Sequence, residues 1–122
     1  MLLTFEEYLT ENTINAKLRK EFGDSVRFNV QENDSRIILS ILVVPYKERN
    51  KGIGSKFMRS LIKYAKEANK NIYLTPDDSY AEPEDMNKAQ LTKWYKSFGF
   101  QKKKKDDFST QAVLAYYVND EY

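Results

Sequence analysis

The stretch that decides the fold is Arg49-Asn50-Lys51-Gly52-Ile53-Gly54-Ser55-Lys56, which lies between an apolar run ending at Pro45 and an amphipathic helix. The first N–H groups of a helix have no carbonyl partner within the helix, and their partial positive charge favours an anion. Gly52 and Gly54 lack the Cβ atoms that would keep a phosphate away from those groups. The stretch therefore predicts a cradle for a diphosphate.

Length and composition indicate an ordinary globular protein. The 122 residues are enough for one domain, spanning residues 1–122, with a sizeable core. The chain is 41% hydrophobic and 31% charged with a net charge of +2, which gives no electrostatic case for nucleic-acid binding. There is no apolar run of about 18 residues and no basic leader before an apolar segment. We therefore expect a cytoplasmic protein without a membrane partner, either a monomer or a homodimer.

The chain contains no cysteine and no histidine. Disulfides, thiolate zinc sites and covalent cysteine intermediates are excluded, and so are imidazole metal clusters and nucleophiles activated by histidine. No metal site is expected. A general base would have to be a carboxylate, tyrosine, lysine, backbone group or water.

The pattern of apolar residues predicts alternating helices and strands. A helix with a capping box begins at Thr4, and a second helix places Ile14, Leu18 and Phe22 at intervals of four. The later elements are strands over 26–31 and 36–44, a helix over 53–68, a strand over 72–75, a helix from Lys88 to Gly99, and strands from Phe100 and over 111–118. The strand over 36–44 is almost entirely apolar, so both of its faces are expected to be covered.

Spacing separates the known phosphate-binding patterns. A Walker loop requires Gly-Lys-Ser/Thr, whereas Gly54 is followed by Ser55-Lys56. A dinucleotide fingerprint requires a third glycine where this chain has Phe57, and an acidic residue at the end of a second strand. Neither pattern is met.

The unit of apolar strand, Arg49-x-x-Gly52-x-Gly54 and helix resembles the acetyl-CoA-binding motif of the GNAT superfamily of N-acyltransferases, Gln/Arg-x-x-Gly-x-Gly/Ala. About forty residues on, Trp94-Tyr95-Lys-Ser-Phe98-Gly99-Phe100 resembles the superfamily's Tyr-x-x-x-Gly-Phe junction between a helix and a strand. Residues 73–100 also resemble small phage-encoded members. The resemblance implies a mixed α/β fold with a central, mostly antiparallel sheet, a splayed parallel strand pair and flanking helices.

The resemblance also implies positions for the cofactor, acetyl-CoA. The pantetheine arm would pair with the exposed backbone of the strand before the cradle, at Leu42, Val43 and Val44. Backbone N–H groups from Asn50 through Ser55 would hold the diphosphate, including those of Lys51, Gly52, Ile53 and Gly54, and Arg49, Lys51 and Lys56 would add positive charge. A glycine-rich helix entry with a solvated basic rim is the structural alternative.

The resemblance places a general acid at Tyr95. Acetyl transfer expels a thiolate whose conjugate acid has a pKa of about 8.5, and a phenol of pKa about 10 can protonate it. The alternative is a tyrosine at the edge of the core, in the apolar stripe of Leu91, Trp94 and Phe98. The asparagine that the superfamily often has seven residues before this tyrosine is Lys88 here, and Asn87 comes one place earlier.

The sequence defines the site of the acceptor amine less well than the site of the cofactor. The strand over 36–44 offers only Ser40 as a polar residue where relatives often have a glutamate, which leaves Asp77, Asp78, Glu32 or water as candidate bases. Five acidic side chains between Asp77 and Asp85 suggest a cationic amine acceptor, or are simply a soluble loop. The lysine run over 102–105 is either a solvated strand end or a contact to RNA or to the 3′-phosphate of CoA.

Three functions remain open from the sequence. The first is an N-acetyltransferase that moves an acetyl group from acetyl-CoA to a primary amine in a ternary complex. The second is a catalytically weak GNAT-like module that binds acyl-CoA or a protein partner, which the missing strand carboxylate favours. The third is an RNA-binding protein that uses the lysine run.

Overall fold

The described chain forms a mixed sheet with helices packed against it. The computed structural model describes residues 14–44, 52–76, 87–108 and 110–119. Its elements, in chain order, are α1 (Ile14–Phe22), a 3₁₀ turn (Gly23–Ser25), β1 (Arg27–Glu32), β2 (Arg36–Val43), α2 (Ile53–Ala68), β3 (Asn71–Leu74), α3 (Lys88–Lys96), β4 (Gln101–Lys102) and β5 (Leu114–Tyr116). The helix predicted to begin at Thr4 lies outside the described residues.

Within these ranges the sheet has the strand order β1-β2-β3-β5-β4. The pair β2 and β3 is parallel, and the other neighbouring pairs are antiparallel. A parallel pair needs a crossover connection, which α2 supplies. The predicted βαβ unit and the mixed, mostly antiparallel sheet are therefore confirmed.

The parallel pair separates partway along β2. Its last paired residues are Leu39 on β2 and Leu74 on β3, whereas β2 continues beside β1 as far as Val43, which pairs with Arg27. At the separation point β2 carries one residue more than β1, and the extra residue, Ser40, forms a bulge. Within the described chain, the second half of β2 thus has no ladder partner on its β3 side.

The core joins all three described helices to one face of the sheet. Phe57 on α2 is fully buried, and its ring lies 5.5 Å from that of Phe22 on α1 and 4.9 Å from that of Phe28 on β1. Each aromatic residue of this size removes some 150–250 Å² of surface from water, so this cluster dominates the attachment of α1 and α2 to the sheet. The residues at intervals of four on α1 are all buried, as the sequence predicts: Ile14, Leu18 and Phe22.

Two strand predictions are wrong in detail. The second half of β2 is not covered on both faces, because Ser40 is exposed and residues 41–44 are only half-buried where the strand leaves β3. The closing strand is limited to Leu114–Tyr116, because the described residues 110–113 before it do not extend the ladder.

Gly99 gives a test of the junction between α3 and β4. Its φ is +106°, and a Cβ there would lie 2.9 Å from Cε2 of Tyr116. We expect Gly99→Ala to lower the free energy of unfolding by about 2–4 kcal/mol, from backbone strain plus overpacking. Gly23→Ala is the matched control, because Gly23 has a φ of +53° but open space around its Cβ position. It should cost only about 1–2 kcal/mol of strain. Equal losses in urea unfolding would show that the Tyr116 contact has no energetic weight.

Candidate functional site

The N-terminus of α2 is open to an anion. Gly52 precedes the helix with φ of 72° and ψ of 16°, a left-handed conformation that favours glycine, and among the described residues no side chain caps this end. The first i to i−4 bond joins the Lys56 N–H to the Gly52 carbonyl at 3.0 Å, so the N–H groups of residues 53–55 precede the helical ladder. No atom of the described residues lies within 4 Å of a Cβ built on Gly52, and Gly52 is exposed. Arg49, Asn50 and Lys51, the first residues of the predicted cradle, lie outside the described residues.

Gly54 has a different role from the one that its motif position suggests. A Cβ there would lie 3.4 Å from Cγ2 of Val44 and 3.5 Å from Cζ2 of Trp94. The side of Gly54 that would carry a side chain is therefore directed at protein atoms and not at solvent. Clearing space for a phosphate is therefore not what this glycine does. A side chain larger than a methyl group at this position would separate the end of β2, the start of α2 and the middle of α3.

The free stretch of β2 lies beside this meeting point. Leu42 and Val43 pair with β1 on one side, opposite Phe28 and Arg27, and the described residues provide no β3 partner on the other side. Both side chains are half-buried, and Leu42 packs on the core. Backbone groups along this edge point toward the gap between β2 and β3, where an extended chain with amide groups can pair with them.

The helix that carries Tyr95 is fixed at its start by a capping box. The Asn87 side chain accepts a hydrogen bond from the Gln90 N–H at 2.9 Å, and the Gln90 side chain accepts one from the Asn87 N–H at 2.9 Å. Asn87 thus serves the helix itself. The departure from the superfamily asparagine noted above has a structural explanation, since the side-chain oxygen of Asn87 is engaged locally.

Tyr95 lies in the core with its ring held by aromatic neighbours. It is 7% exposed, and the centroids of Trp94 and Phe100 lie 5.1 and 6.0 Å from its own in edge-on contacts. Burial raises the pKa of Tyr95 to about 12, because the low-polarity surroundings disfavour the phenolate. The hydroxyl therefore keeps its proton throughout the physiological range.

The candidate bases are separated by the fold. Glu32 accepts the Ile14 N–H at 3.1 Å and pairs with the Lys70 ammonium at 2.7 Å. It lies opposite Ile37 near the start of β2, whereas the gap lies beside the second half of β2. This carboxylate joins the start of α1 to the turn between α2 and β3, and it is not placed for catalysis. Ser40 lies at the bulge itself and is exposed. Asp77 and Asp78, like the rest of the acidic segment, lie outside the described residues.

A polar cluster on the face of β3 away from Ile72 and Leu74 was not predicted from the sequence. The hydroxyls of Tyr73 and Tyr117 both donate to Oδ2 of Asp107, at 2.9 and 2.8 Å. Burial raises the pKa of Tyr117 to about 12, and the Asp107 carboxylate adds to the rise. The sequence did not reveal this cluster, because Asp107 follows a run of lysines and has the pattern of a turn residue.

Comparison with known proteins identifies the fold. No protein-family model and no curated protein sequence matches the chain. Among solved structures, the anti-CRISPR protein AcrVA5, which has the GNAT fold, is 17% identical over 75% of this chain and 90% of its own, with a TM-score of 0.56. The chain has the GNAT fold. The superfamily resemblance of the sequence is thereby confirmed at the level of the fold.

Two further GNAT structures are similar at lower scores. Tetrahymena GCN5 is 12% identical over 97% of this chain and 84% of its own, with a TM-score of 0.49. Arabidopsis thaliana Naa50, in complex with the bisubstrate analogue CoA-Ac-MVNAL, is 22% identical over 75% of this chain and 58% of its own, with a TM-score of 0.44. In the described part of this chain, no helix has the length and apolarity to cross a membrane, and no cluster of acidic residues could hold a metal ion.

The raised pKa of Tyr95 predicts a loss of stability at high pH. Its pKa is about 12 in the folded protein and about 10 when unfolded, so its contribution is complete below pH 10 and falls as pH rises toward 12. Between pH 10 and 11 the free energy of unfolding should fall by about 1 kcal/mol more in the wild type than in Tyr95→Phe. Urea unfolding at both pH values tests this, and parallel losses would mean that the phenol is solvated.

Proposed function

We propose that the protein is an N-acetyltransferase that moves the acetyl group of acetyl-CoA to a primary amine, by direct attack of the amine in a ternary complex. The observation that best supports this proposal is the contact at Gly54, where the end of β2, the N-terminus of α2 and the helix of Tyr95 converge. A strand edge, a helix N-terminus and a phenol are three groups that a thioester cofactor with a diphosphate can use together.

The described residues suit the cofactor. The edge at Leu42 and Val43 can pair with the pantetheine amides, with Val44 continuing the same strand end. The uncapped start of α2 offers the N–H groups of Ile53, Gly54 and Ser55 to the diphosphate, and the exposed Lys56 adds positive charge. Arg49, Asn50, Lys51 and Gly52 complete this proposed binding loop. When bound, acetyl-CoA supplies an activated acyl group on a thiol that can leave.

Tyr95 is the proposed general acid. As the new C–N bond forms and the C–S bond breaks, negative charge develops on sulfur, and a neutral O–H group can stabilise that charge and supply the thiol proton. A pKa of about 12 keeps the proton available at all physiological pH values but makes full transfer to a free thiolate of pKa about 8.5 unfavourable. The hydrogen bond to sulfur during bond cleavage is therefore the main contribution of Tyr95, and solvent restores any proton it gives.

The acceptor is proposed to be a cationic amine, such as a polyamine, a lysine side chain or an N-terminus. The acidic side chains between Asp77 and Asp85 support this by charge complementarity, with Asp77 as the tentative base. A module that binds acyl-CoA without turnover is the second candidate. It is favoured by one observation, that β2 presents only Ser40 as a polar side chain beside the gap.

Substitution at Gly54 tests the cofactor site. Gly54→Ala should leave acetyl-CoA affinity within about threefold, since its Cβ would make ordinary contacts with Val44 and Trp94. Gly54→Gln should weaken binding by forcing these elements apart, and Gly54→Glu should weaken it further, at least tenfold below wild type, through repulsion of the phosphates. Isothermal titration calorimetry measures each affinity, with thermal unfolding as the control for folding. No binding to wild type at millimolar acetyl-CoA would reject the cofactor assignment.

The Tyr95→Phe variant distinguishes an acetyltransferase from a module that only binds acyl-CoA. Removal of one hydroxyl that acts at the transition state should lower kcat by about 10- to 100-fold while acetyl-CoA affinity changes less than threefold. A transfer screen over amines, peptides and aminoacyl-tRNA provides the substrate for the measurement. Unchanged kcat would exclude Tyr95 as the acid. Acetyl-CoA binding without transfer to any acceptor would instead support the binding module.

A further inference from the structure

The outer sides of α1 and α2 form a groove of about 410 Å³. Glu21 on α1 joins the two helices, because its Oε2 accepts the Ser60 hydroxyl at 2.7 Å and its Oε1 accepts the Tyr64 hydroxyl at 3.0 Å. Between the same helices, the rings of Phe22 and Phe57 pack 5.5 Å apart. The groove is therefore formed by two helices whose relative position is fixed by packing and by hydrogen bonds.

Positive side chains line this groove and continue beside it. Lys17 and Lys20 line it from α1 and Lys63 lines it from α2, and all three are exposed. The exposed Arg59 and Lys66 lie one turn before and one turn after Lys63 on α2. Two exposed carboxylates lie among these cations. We name this surface the basic face and define it by its five cations and two carboxylates: Lys17, Lys20, Arg59, Lys63, Lys66, Glu21 and Glu67.

The small net charge of the chain conceals this surface. The basic face carries a formal charge of +3 and the whole chain carries +2, so all the other residues together carry −1. A polyanion responds mainly to the charges it meets, because charges more than about 8 Å away are largely screened at physiological ionic strength. The net charge of the chain is therefore no argument against a polyanion at the basic face.

The composition of the basic face distinguishes between two kinds of polyanion. A protein interface has an apolar centre within its polar rim. In the described part of the chain the large exposed apolar side chains are Phe108 and Val113, and both lie outside α1 and α2. A nucleic acid is held largely by its phosphates, which require charge and hydrogen-bond donors but no apolar surface. The basic face therefore suits a phosphate backbone better than an acidic protein.

The aromatic residue of the groove favours a duplex over a single strand. Proteins that bind single strands stack the bases on open aromatic rings. Tyr64 is half-buried, its hydroxyl is bonded to Glu21, and the Lys17 ammonium lies 5.5 Å from the centre of its ring. A ring engaged in this way offers no open platform for a base. We propose that the basic face binds the phosphate backbone of a nucleic-acid duplex, without contacts that read the base sequence.

The dimensions of the basic face set the number of phosphates it can hold. From Arg59 to Lys66 the axis of α2 advances by about 10 Å, and packed helices such as α1 and α2 lie about 8–10 Å apart. One strand of a duplex advances about 3.4 Å per phosphate, so about three successive phosphates of a strand lie within reach. Release of the counterions from about three phosphates makes binding strongly dependent on salt.

The test measures duplex binding without acetyl-CoA, because this inference does not depend on the proposed acetyltransferase function. Fluorescence anisotropy of a labelled DNA duplex of twenty base pairs, titrated with the full chain, gives the dissociation constant at several salt concentrations. A plot of the logarithm of the association constant against the logarithm of the salt concentration should have a slope of about −3. An RNA duplex of the same sequence should bind within tenfold, since only the backbone is contacted.

The double variant Lys17→Gln with Lys63→Gln should weaken duplex binding at least tenfold at 50 mM salt and make the slope less negative by about 2. Lys102→Gln with Lys105→Gln is the matched control, because it makes the same charge change at two exposed lysines outside α1 and α2. Its affinity for the duplex should stay within twofold of wild type. Thermal unfolding of both double variants checks that the fold is retained.

Glu21→Gln gives a test that a damaged fold cannot imitate. It removes a negative charge from the groove and keeps a side-chain oxygen that can accept a hydroxyl. A phosphate close to this position should then bind more tightly, by at least threefold at 50 mM salt. Unchanged or weaker binding in Glu21→Gln would place the duplex elsewhere on the protein and overturn the inference.

The remaining outcomes also decide the proposal. Equal weakening by the two double lysine variants would show that binding is not confined to the basic face. Binding of a twenty-residue polyglutamate peptide, or of a single-stranded poly(dT) of twenty nucleotides, at least as tightly as the duplex would overturn the choice of partner. No duplex binding at 50 mM salt would reject the inference and leave the acetyltransferase proposal untouched.

Discussion

The end of parallel pairing between β2 and β3 is the constraint on which the rest of the site depends. Pairing stops at Leu39 and Leu74, while the ladder with β1 carries β2 on to Val43. The bulge at Ser40 bends β2 at this point, and a bulge increases local twist, which separates neighbouring strands. A strand edge inside a sheet has N–H and C=O groups that need partners, and an extended ligand can supply them.

The same constraint positions α2. A parallel pair requires the crossover helix to start at the carboxyl end of β2, next to the gap, so the helix N-terminus and the free strand edge are neighbours by topology. Gly54 lies at this contact, where Val44 and Trp94 leave room beside the first turn of α2 for no more than a methyl group. Trp94 in turn packs edge-on against Tyr95. One chain of contacts thus links the strand edge to the phenol.

Periodicity predicted the helices and the βαβ unit because burial on one face repeats at a fixed interval. Ile14, Leu18 and Phe22 are the clearest case, and the predicted start of α3 at Lys88 is also confirmed. The bulge could not be predicted, because Ser40 is a single polar residue in an apolar run and its register depends on β1. The packing around Gly54 could not be predicted for a similar reason. Its neighbour Trp94 is forty residues away, and a motif does not show which face of a glycine is covered.

The Asp107 cluster shows a further limit of pattern reading. Tyr73 and Asp107 are 34 residues apart, and each alone has an ordinary interpretation, as a strand tyrosine and a turn carboxylate. Their contact exists because β5 pairs with β3, which brings Tyr117 and the segment that carries Asp107 next to Tyr73. Contacts of this kind require the topology, which local propensity does not contain.

The two halves of the proposed site therefore differ in how strongly the fold determines them. The cofactor half uses backbone groups, a strand edge and a helix N-terminus, which any sequence with this topology provides. That is consistent with a GNAT fold shared with AcrVA5 at 17% identity. The residues proposed for the acceptor half, Asp77 to Asp85, are instead side chains that come between β3 and α3 in the chain. Such side chains can change without disturbing the sheet, so acceptor specificity in this chain must be read from its own loops and not from the fold.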